Sequence, residues 1–179
     1  MKSKIRFGII GCSSIAKKSV IPSIITGKNS TLESIGSRTI QKSKKFAKEF
    51  SCSNFGTYED ILENDNIDAV YISLPMSLHE KWAMKAAQSG KHILCEKSVS
   101  LSYDSAKKII KECKKNHVLI KENFTFRLHP QHEKILKLVK KNTIGNIHTF
   151  SARYGFNLPF SKKNLRFNKK LGGGSLNDV

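Results

Sequence analysis

The chain has 179 residues, of which 39% are hydrophobic and 26% charged, and 32 basic against 14 acidic residues give a formal net charge of +18. This composition fits a soluble globular protein with one domain, or one domain and part of a second, and excludes a disordered chain. No apolar run approaches the roughly 20 residues of a membrane-spanning helix, so a membrane protein is also excluded.

Strand-like and helix-like segments alternate along the first two thirds of the chain. Strands are predicted at KIRFGII, TLESIGS, Asn54–Gly56, DAVYISL, KHILCE and HVLIKENF. Helices are predicted at Ser14–Thr26, Ile40–Phe50, Tyr58–Glu63, Leu78–Gln88 and Tyr103–Lys115. Within them, Pro22 bends or restarts the first helix, Gly90 ends the fourth and Ser102 caps the fifth. Six strands separated by helices indicate a doubly wound parallel α/β sheet, with ligands at the carboxyl ends of the strands.

The pattern changes after residue 124. The segment HPQHEKILKLVKKN is an amphipathic helix, and NIHTFSARYGF alternates like an exposed antiparallel strand. We therefore predict a first domain over residues 1–124 and the beginning of a second, incomplete domain over residues 125–179.

The basic excess admits either a nucleic-acid surface or ordinary solvated helix faces. The lysines are spread along the chain, with groups on two predicted helices at Lys42, Lys44, Lys45 and Lys48 and at Lys107, Lys108, Lys111, Lys114 and Lys115. Aromatic residues that would stack on bases are not interleaved with them, which favours solvated faces. The net field would still attract anions such as a phosphorylated cofactor.

Four cysteines, Cys12, Cys52, Cys95 and Cys113, form no C-x-x-C pair and have no metal-ligand spacing. Three of them lie in or beside apolar runs, as small core residues do. No metal site is expected, and a reducing cytoplasmic location is predicted.

The first strand runs into Gly11-Cys12-Ser13-Ser14-Ile15-Ala16, where a dinucleotide-binding turn reads G-x-G-x-x-G or G-x-G-x-x-A. Gly11 and Ala16 suit the tight bend and the close packing. Ser13 replaces the second glycine, although its hydroxyl could bond to a phosphate oxygen. Taken alone, this stretch is equally consistent with an incidental strand–turn–helix.

The second strand ends in Ser37-Arg38, where NAD-specific sites usually carry an acidic residue for the ribose 2′-hydroxyl. A hydroxyl and a guanidinium suit a 2′-phosphate, which an acid would repel. The pair predicts a preference for NADP, with NAD possible; the alternative is an ordinary surface arginine.

The segments GCSSIA, SR, NIDAVYISLPMSLHEKWAMKAAQSGKHILCEKS and GGGSLND occur in an order and spacing similar to those of the Gfo/Idh/MocA oxidoreductases. The resemblance covers essentially the whole chain, is most specific over residues 66–98, and is closest to the sugar and dihydrodiol dehydrogenase branches. It implies a Rossmann domain followed by an α/β domain with an open antiparallel sheet. It also implies hydride transfer between NAD(P) and a hydroxyl or carbonyl carbon of a sugar, nucleotide sugar or diol, in a homo-oligomeric full-length protein.

The same resemblance assigns roles by position. Glu96 and Lys97 match the family's Glu-Lys-Pro, whose lysine lies near the nicotinamide and the substrate and assists proton transfer. The other cofactor positions are Gly11, Ser13, Ser14, Ile15, Ser37, Arg38, Leu74, Pro75 and His79. The substrate positions are Arg127 and Arg166. Asp178 matches the aspartate of a catalytic motif whose His or Tyr partner is expected beyond Val179, so we expect the chain to be the N-terminal portion of a longer protein.

Without the resemblance, His79 reads as a surface histidine at a helix N-terminus and Lys97 as one lysine among many. Three positions depart from the family pattern: Ser13 for glycine, Met76 for a common asparagine, and Ser98 for the proline after the lysine. The leading hypothesis is an NADP-preferring oxidoreductase. The alternative is a cofactor-binding protein without turnover, such as a redox sensor or a decayed enzyme fragment.

Overall fold

In a computed structural model that describes residues 4–153, 155, 157 and 164–174, the chain forms one six-stranded parallel sheet. The strands are β1 (Ile5–Ile10), β2 (Ser30–Gly36), β3 (Asn54–Gly56), β4 (Ala69–Ile72), β5 (His92–Cys95) and β6 (Ile120–Glu122). Their order is β3-β2-β1-β4-β5-β6, so the winding reverses between β1 and β4. Because all neighbouring pairs are parallel, the carboxyl ends of the strands share one edge. The predicted Rossmann-type, doubly wound sheet is confirmed.

The helices follow the predicted positions closely. They are α1 (Ile21–Thr26), α2 (Ile40–Glu49), α3 (Tyr58–Glu63), α4 (His79–Gln88), α5 (Tyr103–Lys115) and α6 (Pro130–Lys140). A π-helical turn, Ala16–Val20, leads into α1, and Pro22 stands at the start of α1, where a missing N–H is tolerated. The Ser102 hydroxyl accepts from the Ser105 N–H at 3.2 Å, which confirms the predicted cap of α5. In the described part of the chain, no helix is long and apolar enough to cross a membrane.

Two apolar layers cover the two faces of the sheet. On one face, α3 packs on β1, β2 and β3, α4 packs on β4 and β5, and α5 packs against α4, through buried residues that include Ile61, Trp82 and Ile109. On the other face, α1 and α2 pack on the sheet around Ile9 and Tyr71. All four residues of β4 are buried, as expected for a central parallel strand whose sequence is a continuous apolar run.

The described residues form two units by their internal contacts. Residues up to Asn123 and those from Leu165 onward make the first unit, and Phe124–Asn164 makes the second. α6 belongs to the second unit, and its apolar side chains Ile135 and Leu136 are exposed. The boundary predicted at residue 124 for two consecutive domains stays a prediction.

The strand predicted at NIHTFSARYGF does not form in the described residues of that segment, 146–153 and 155. An extended segment becomes a strand when its backbone N–H and C=O groups find a partner strand. Alternation of apolar and polar residues therefore gave the wrong prediction here.

An ion pair joins β1 to the turn before β4 at the opposite, amino end of the sheet. The Asp68 carboxylate accepts from the backbone N–H of Arg6 at 2.8 Å and from its guanidinium at 2.8 and 3.1 Å. The backbone N–H of Asp68 in turn donates to the Arg6 carbonyl at 2.9 Å. The Arg6 hydrogen bond is the main cause that lowers the pKa of Asp68 from 3.8 to about 2.

We expect Asp68→Asn to lower the free energy of unfolding at pH 7 by about 1 kcal/mol, because the side chain is 37% exposed and solvent screens the pair. The folded pKa is depressed, so this stabilisation is present above pH 3.8 and is lost as the pH falls towards 2. Urea titrations at several pH values should therefore show the wild-type and variant curves converging in acid. Asp65→Asn, a nearby carboxylate change, is the control, and a wild-type-to-variant gap independent of pH contradicts the assignment.

Candidate functional site

The turn after β1 depends on Gly11. Its φ of +112° lies in the region that favours glycine, and a Cβ there would meet the Ser73 carbonyl oxygen and a Leu74 methyl, each at 2.8 Å. The Gly11 N–H donates to the Gly36 carbonyl at 3.1 Å, and the buried Ser73 hydroxyl donates to the Gly11 carbonyl at 2.7 Å. The turn thus joins the ends of β1, β2 and β4, as the first glycine of a dinucleotide turn requires.

Ser13 replaces the second glycine and begins the helix. Its hydroxyl accepts from the Ala16 N–H at 3.1 Å, and its carbonyl accepts from the Lys17 N–H at 3.1 Å. Ser14 and Ile15, the next predicted cofactor residues, are exposed in the first helical turn. The first N–H groups of a helix have no partner within it, so this exposed end suits an anion such as a pyrophosphate.

The end of β2 brings a cation next to this turn. Ser37 is buried and its backbone N–H donates to the Gly56 carbonyl at 3.1 Å, whereas Arg38 is exposed. Burial raises the pKa of the Cys12 thiol, and the Ser37 hydroxyl and the Lys42 ammonium oppose that rise. The Tyr58 phenol lies beside Arg38, and burial is the main cause that raises its pKa. Of the predicted pair Ser37 and Arg38, only Arg38 is exposed and can meet a ligand from solvent.

The loop after β4 is shaped by its contacts with the rest of the first unit. Leu74 and Pro75 are half-buried and lead into a 3-10 turn, Met76–Leu78. A second 3-10 turn, Lys169–Leu171, packs against that turn, and a Cβ on the following Gly172 would lie 2.9 Å from Met76. The glycine-rich segment late in the chain thus reaches the loop that sequence analysis assigned to the cofactor.

His79, the first residue of α4, is 1% exposed. Its Nδ1 lies 2.8 Å from the Ser98 carbonyl oxygen and its Nε2 lies 2.9 Å from the Leu74 carbonyl oxygen. The interpretation as a surface histidine is therefore wrong. Its ring is engaged with two backbone carbonyl groups of this chain, at the ends of β4 and β5.

Glu96 and Lys97 follow β5 at the same edge. The Glu96 Oε1 atom accepts from the Tyr71 hydroxyl at 2.5 Å and from the Asn123 amide at 2.7 Å. Burial and the Glu96 carboxylate both raise the pKa of the Tyr71 phenol, so Tyr71 is the proton donor of this bond. Lys97 is half-buried, and the Lys97–Ser98 peptide bond is cis.

Two predicted substrate residues lie in different units. Arg166 is exposed in a 3-10 turn, Leu165–Phe167, of the first unit. Arg127 is exposed in the 3-10 turn Thr125–Leu128 of the second unit. Asp178 lies outside the described residues. Among the described residues, no cluster of His, Cys, Asp or Glu could hold a metal ion.

Three polar residues at this edge were missed by the sequence analysis: Tyr71, Glu122 and Asn123. Tyr71 carries a hydroxyl into a buried apolar strand, which is a signal that a polar partner lies nearby. Glu122 ends the last strand of the sheet and Asn123 follows it, and the rule that ligand sites collect at strand carboxyl ends could have included both.

A family profile described as "Oxidoreductase family, NAD-binding Rossmann fold" matches residues 5–124. The dTDP-3,4-didehydro-2,6-dideoxy-alpha-D-glucose 3-reductase of Saccharopolyspora spinosa is 30% identical over 179 residues, which are 100% of this chain and 54% of that protein. The D-xylose 1-dehydrogenase (NADP(+)) 2 of Haloferax volcanii is 35% identical over 174 residues, 97% of this chain and 53% of that protein. The chain spans about half the length of these curated relatives.

A solved structure is similar to this chain in both sequence and fold. KijD10, a 3-ketoreductase from Actinomadura kijaniata in complex with NADP and TDP-benzene, is 32% identical and superposes with a TM-score of 0.93. The match covers 99% of this chain and 54% of that one.

We expect Gly11→Ala to cost on the order of 3 kcal/mol or more in unfolding free energy, since strain at positive φ adds to a backbone collision. Gly90→Ala is the matched control: Gly90 also has positive φ, +70°, but a Cβ there meets nothing within 4 Å. It should cost about 1 kcal/mol, the conformational part alone. Urea denaturation of both variants measures the difference, and equal losses would show that the contact with Ser73 is unimportant.

Proposed function

The chain belongs to the Gfo/Idh/MocA oxidoreductase family, and on that premise we propose that the protein is an NADP-preferring oxidoreductase. Its substrate is a sugar, nucleotide sugar or related diol, at whose hydroxyl or carbonyl carbon hydride is exchanged. Relatives named as reductases and dehydrogenases of such compounds support this class over the non-catalytic alternative. We further propose a cytoplasmic location and a homo-oligomeric full-length protein, both supported by the family resemblance.

One observation carries the proposal: the parallel registers bring the candidate residues to a single edge. Ile10 pairs with Gly36 on one side and with Ile72 on the other, and Ile72 pairs with Cys95. The residues that immediately follow these strands are therefore neighbours: Gly11, Ser37, Ser73 and Glu96. Ligands of doubly wound sheets bind at this edge, where the winding reverses.

The residues present suit a dinucleotide. The glycine turn and the exposed helix end at Ser13 and Ser14 would hold the pyrophosphate, and Arg38 would bind the ribose 2′-phosphate. Leu74 and Pro75 would line the nicotinamide half. When bound, the cofactor supplies or accepts the hydride.

Lys97 has the central chemical role in this proposal. Its Nζ would donate a hydrogen bond to the reacting substrate oxygen, polarise a carbonyl there, and give or take the proton that accompanies hydride transfer. The Glu96 carboxylate would stabilise the base of this turn through Tyr71 and Asn123. Arg127 and Arg166 remain candidates for substrate contacts, and Asp178 remains a candidate partner in proton transfer.

We expect NADPH to bind at least tenfold tighter than NADH, which corresponds to about 1.4 kcal/mol. Arg38→Ala should remove most of this preference by weakening NADPH binding about tenfold or more while leaving NADH binding nearly unchanged. Fluorescence titration with both cofactors measures it, with Lys45→Ala as a control for loss of one exposed charge on α2. A variant that keeps the full preference for NADPH would contradict the role of Arg38.

We expect Lys97→Met to lower kcat by about 10²- to 10⁴-fold, the usual effect of losing a general acid or base. The dissociation constant of NADPH should change by less than about threefold, because the loss is felt at the reacting oxygen. The assay follows NADPH absorbance with a panel of keto sugars, aldoses and nucleotide sugars, and Lys115→Met controls for charge. The proposed role of Lys97 fails if the variant retains wild-type kcat on a substrate that the wild type turns over.

A further inference from the structure

We propose that His79 and Glu122 are positioning residues that fix the Ser98–Val99 peptide group, one residue beyond Lys97, and that His79 also fixes the cofactor loop at Leu74. This inference rests on the proposed function of Lys97. The family resemblance assigns His79 to the loop that lines the cofactor. The inference assigns it a different role, which is to hold two backbone carbonyl groups in place.

His79 forms two directed contacts from a buried position. Both of its partners, the carbonyl oxygens of Leu74 and Ser98, are acceptors, at 2.9 and 2.8 Å. Each contact is a hydrogen bond when the facing ring nitrogen carries a proton, so the doubly protonated ring makes both bonds and either neutral tautomer makes one. The doubly protonated ring thus links the segment after β4 to the segment after β5 through two hydrogen bonds.

Glu122 holds the same peptide group from its other side. Its Oε1 atom accepts from the Val99 N–H at 2.6 Å, and the Val99 N–H and the Ser98 carbonyl belong to one peptide unit. The two side chains that bracket this unit come from positions 19 and 23 residues away in sequence. Charge-assisted and buried hydrogen bonds of this kind are short and restrain geometry strongly.

The end of β6 also supports the end of β5. Cys95 pairs with Glu122 across the two strands, and the Asn123 N–H donates to the Cys95 carbonyl at 2.8 Å. Bonds to Cys95, Glu96 and Val99 thus flank Lys97 on both sides along the chain. The flexible four-carbon stem of a lysine does not fix its ammonium group by itself, so a firmly held backbone narrows the positions that this group can occupy.

The second contact of His79 acts on the cofactor loop. Leu74 lies over the turn at Gly11, where its methyl group would be 2.8 Å from an added Cβ. Restraint of the Leu74 carbonyl therefore restrains a side chain that covers the dinucleotide turn. Misplacement of catalytic groups by about 1 Å can cost about 100-fold in rate, so both contacts bear on turnover.

Two amide substitutions separate the contacts. The side-chain amide of His79→Asn reaches the position of Nδ1 and keeps the bond to Ser98, whereas that of His79→Gln reaches the position of Nε2 and keeps the bond to Leu74. His79→Leu removes both bonds. Glu122→Ala removes the acceptor for Val99, and Glu122→Gln retains an acceptor oxygen as the conservative rescue. His92→Asn is the control, at a histidine whose Nδ1 accepts from the Leu119 N–H at the far end of β5.

Hydrogen exchange provides a readout independent of activity. The Val99 N–H reports on the segment after Lys97, and the Leu78 N–H, which donates to the Pro75 carbonyl at 2.8 Å, reports on the cofactor loop. We expect His79→Gln to accelerate exchange at Val99 about tenfold and His79→Asn to do so at Leu78, since each variant loses a different one of the two hydrogen bonds. His92→Asn should change neither reporter.

In the whole protein, the variants that affect Val99 should mainly lower kcat, and the variant that affects Leu78 should mainly weaken NADPH binding. His79→Gln and Glu122→Ala should lower kcat about 10- to 100-fold with the NADPH dissociation constant within about threefold of wild type. His79→Asn should instead weaken NADPH binding about fivefold, with a loss of kcat smaller than that of His79→Gln. Glu122→Gln should recover most of the kcat lost in Glu122→Ala.

Other results would overturn the inference. If the Asn and Gln variants alter Val99 and Leu78 alike, or if all amides exchange faster in proportion to lost global stability, His79 is a core residue without a positioning role. Wild-type protein that neither binds NADPH nor turns over a substrate contradicts the proposed function, while the selectivity of the exchange effects still decides whether the two contacts are separate restraints.

Discussion

The close approach of β1 and β4 at Gly11 is the contact on which the candidate site depends. A Cβ at Gly11 would lie 2.8 Å from the Ser73 carbonyl oxygen, and the Ser73 hydroxyl donates to the Gly11 carbonyl, where the paired residues Ile10 and Ile72 end their strands. No other residue type has both the positive φ and the missing side chain that this contact requires. The turn, the helix that begins at Ser13, and the loop at Leu74 all take their positions from it.

The same edge is joined by polar bonds between segments that are far apart in sequence. Ser73 links β4 to β1, His79 links the ends of β4 and β5, and Glu122 and Asn123 link β6 to β5. In the described part of the chain, every buried side-chain nitrogen and oxygen has a hydrogen-bond partner. Fully satisfied networks of this kind hold loops in one arrangement, which a site built from four different strands needs.

The net charge of +18 lies largely at the surface, because several of the few acidic residues are engaged within the fold. Several carboxylates are engaged within the fold: Asp68 with Arg6, Asp60 in the cap of α3, Glu96 with Tyr71, and Glu122 with Val99. Most lysines on the helices are exposed. The surface field is therefore strongly positive, which favours the approach of a phosphorylated ligand to Arg38.

The sequence by itself determined the parallel sheet, its helices and the loops that carry the site, because periodicity, glycine positions and caps are local properties. It also identified Gly11, Arg38 and Lys97 as candidates, through turn chemistry and family resemblance. Only the tertiary structure decided that His79 is buried between two carbonyls, that Ser37 faces Cys12, and that the described residues of NIHTFSARYGF, 146–153 and 155, form no strand. Those features depend on which distant residue lies opposite each group, and that is fixed by packing and strand register rather than by neighbours along the chain.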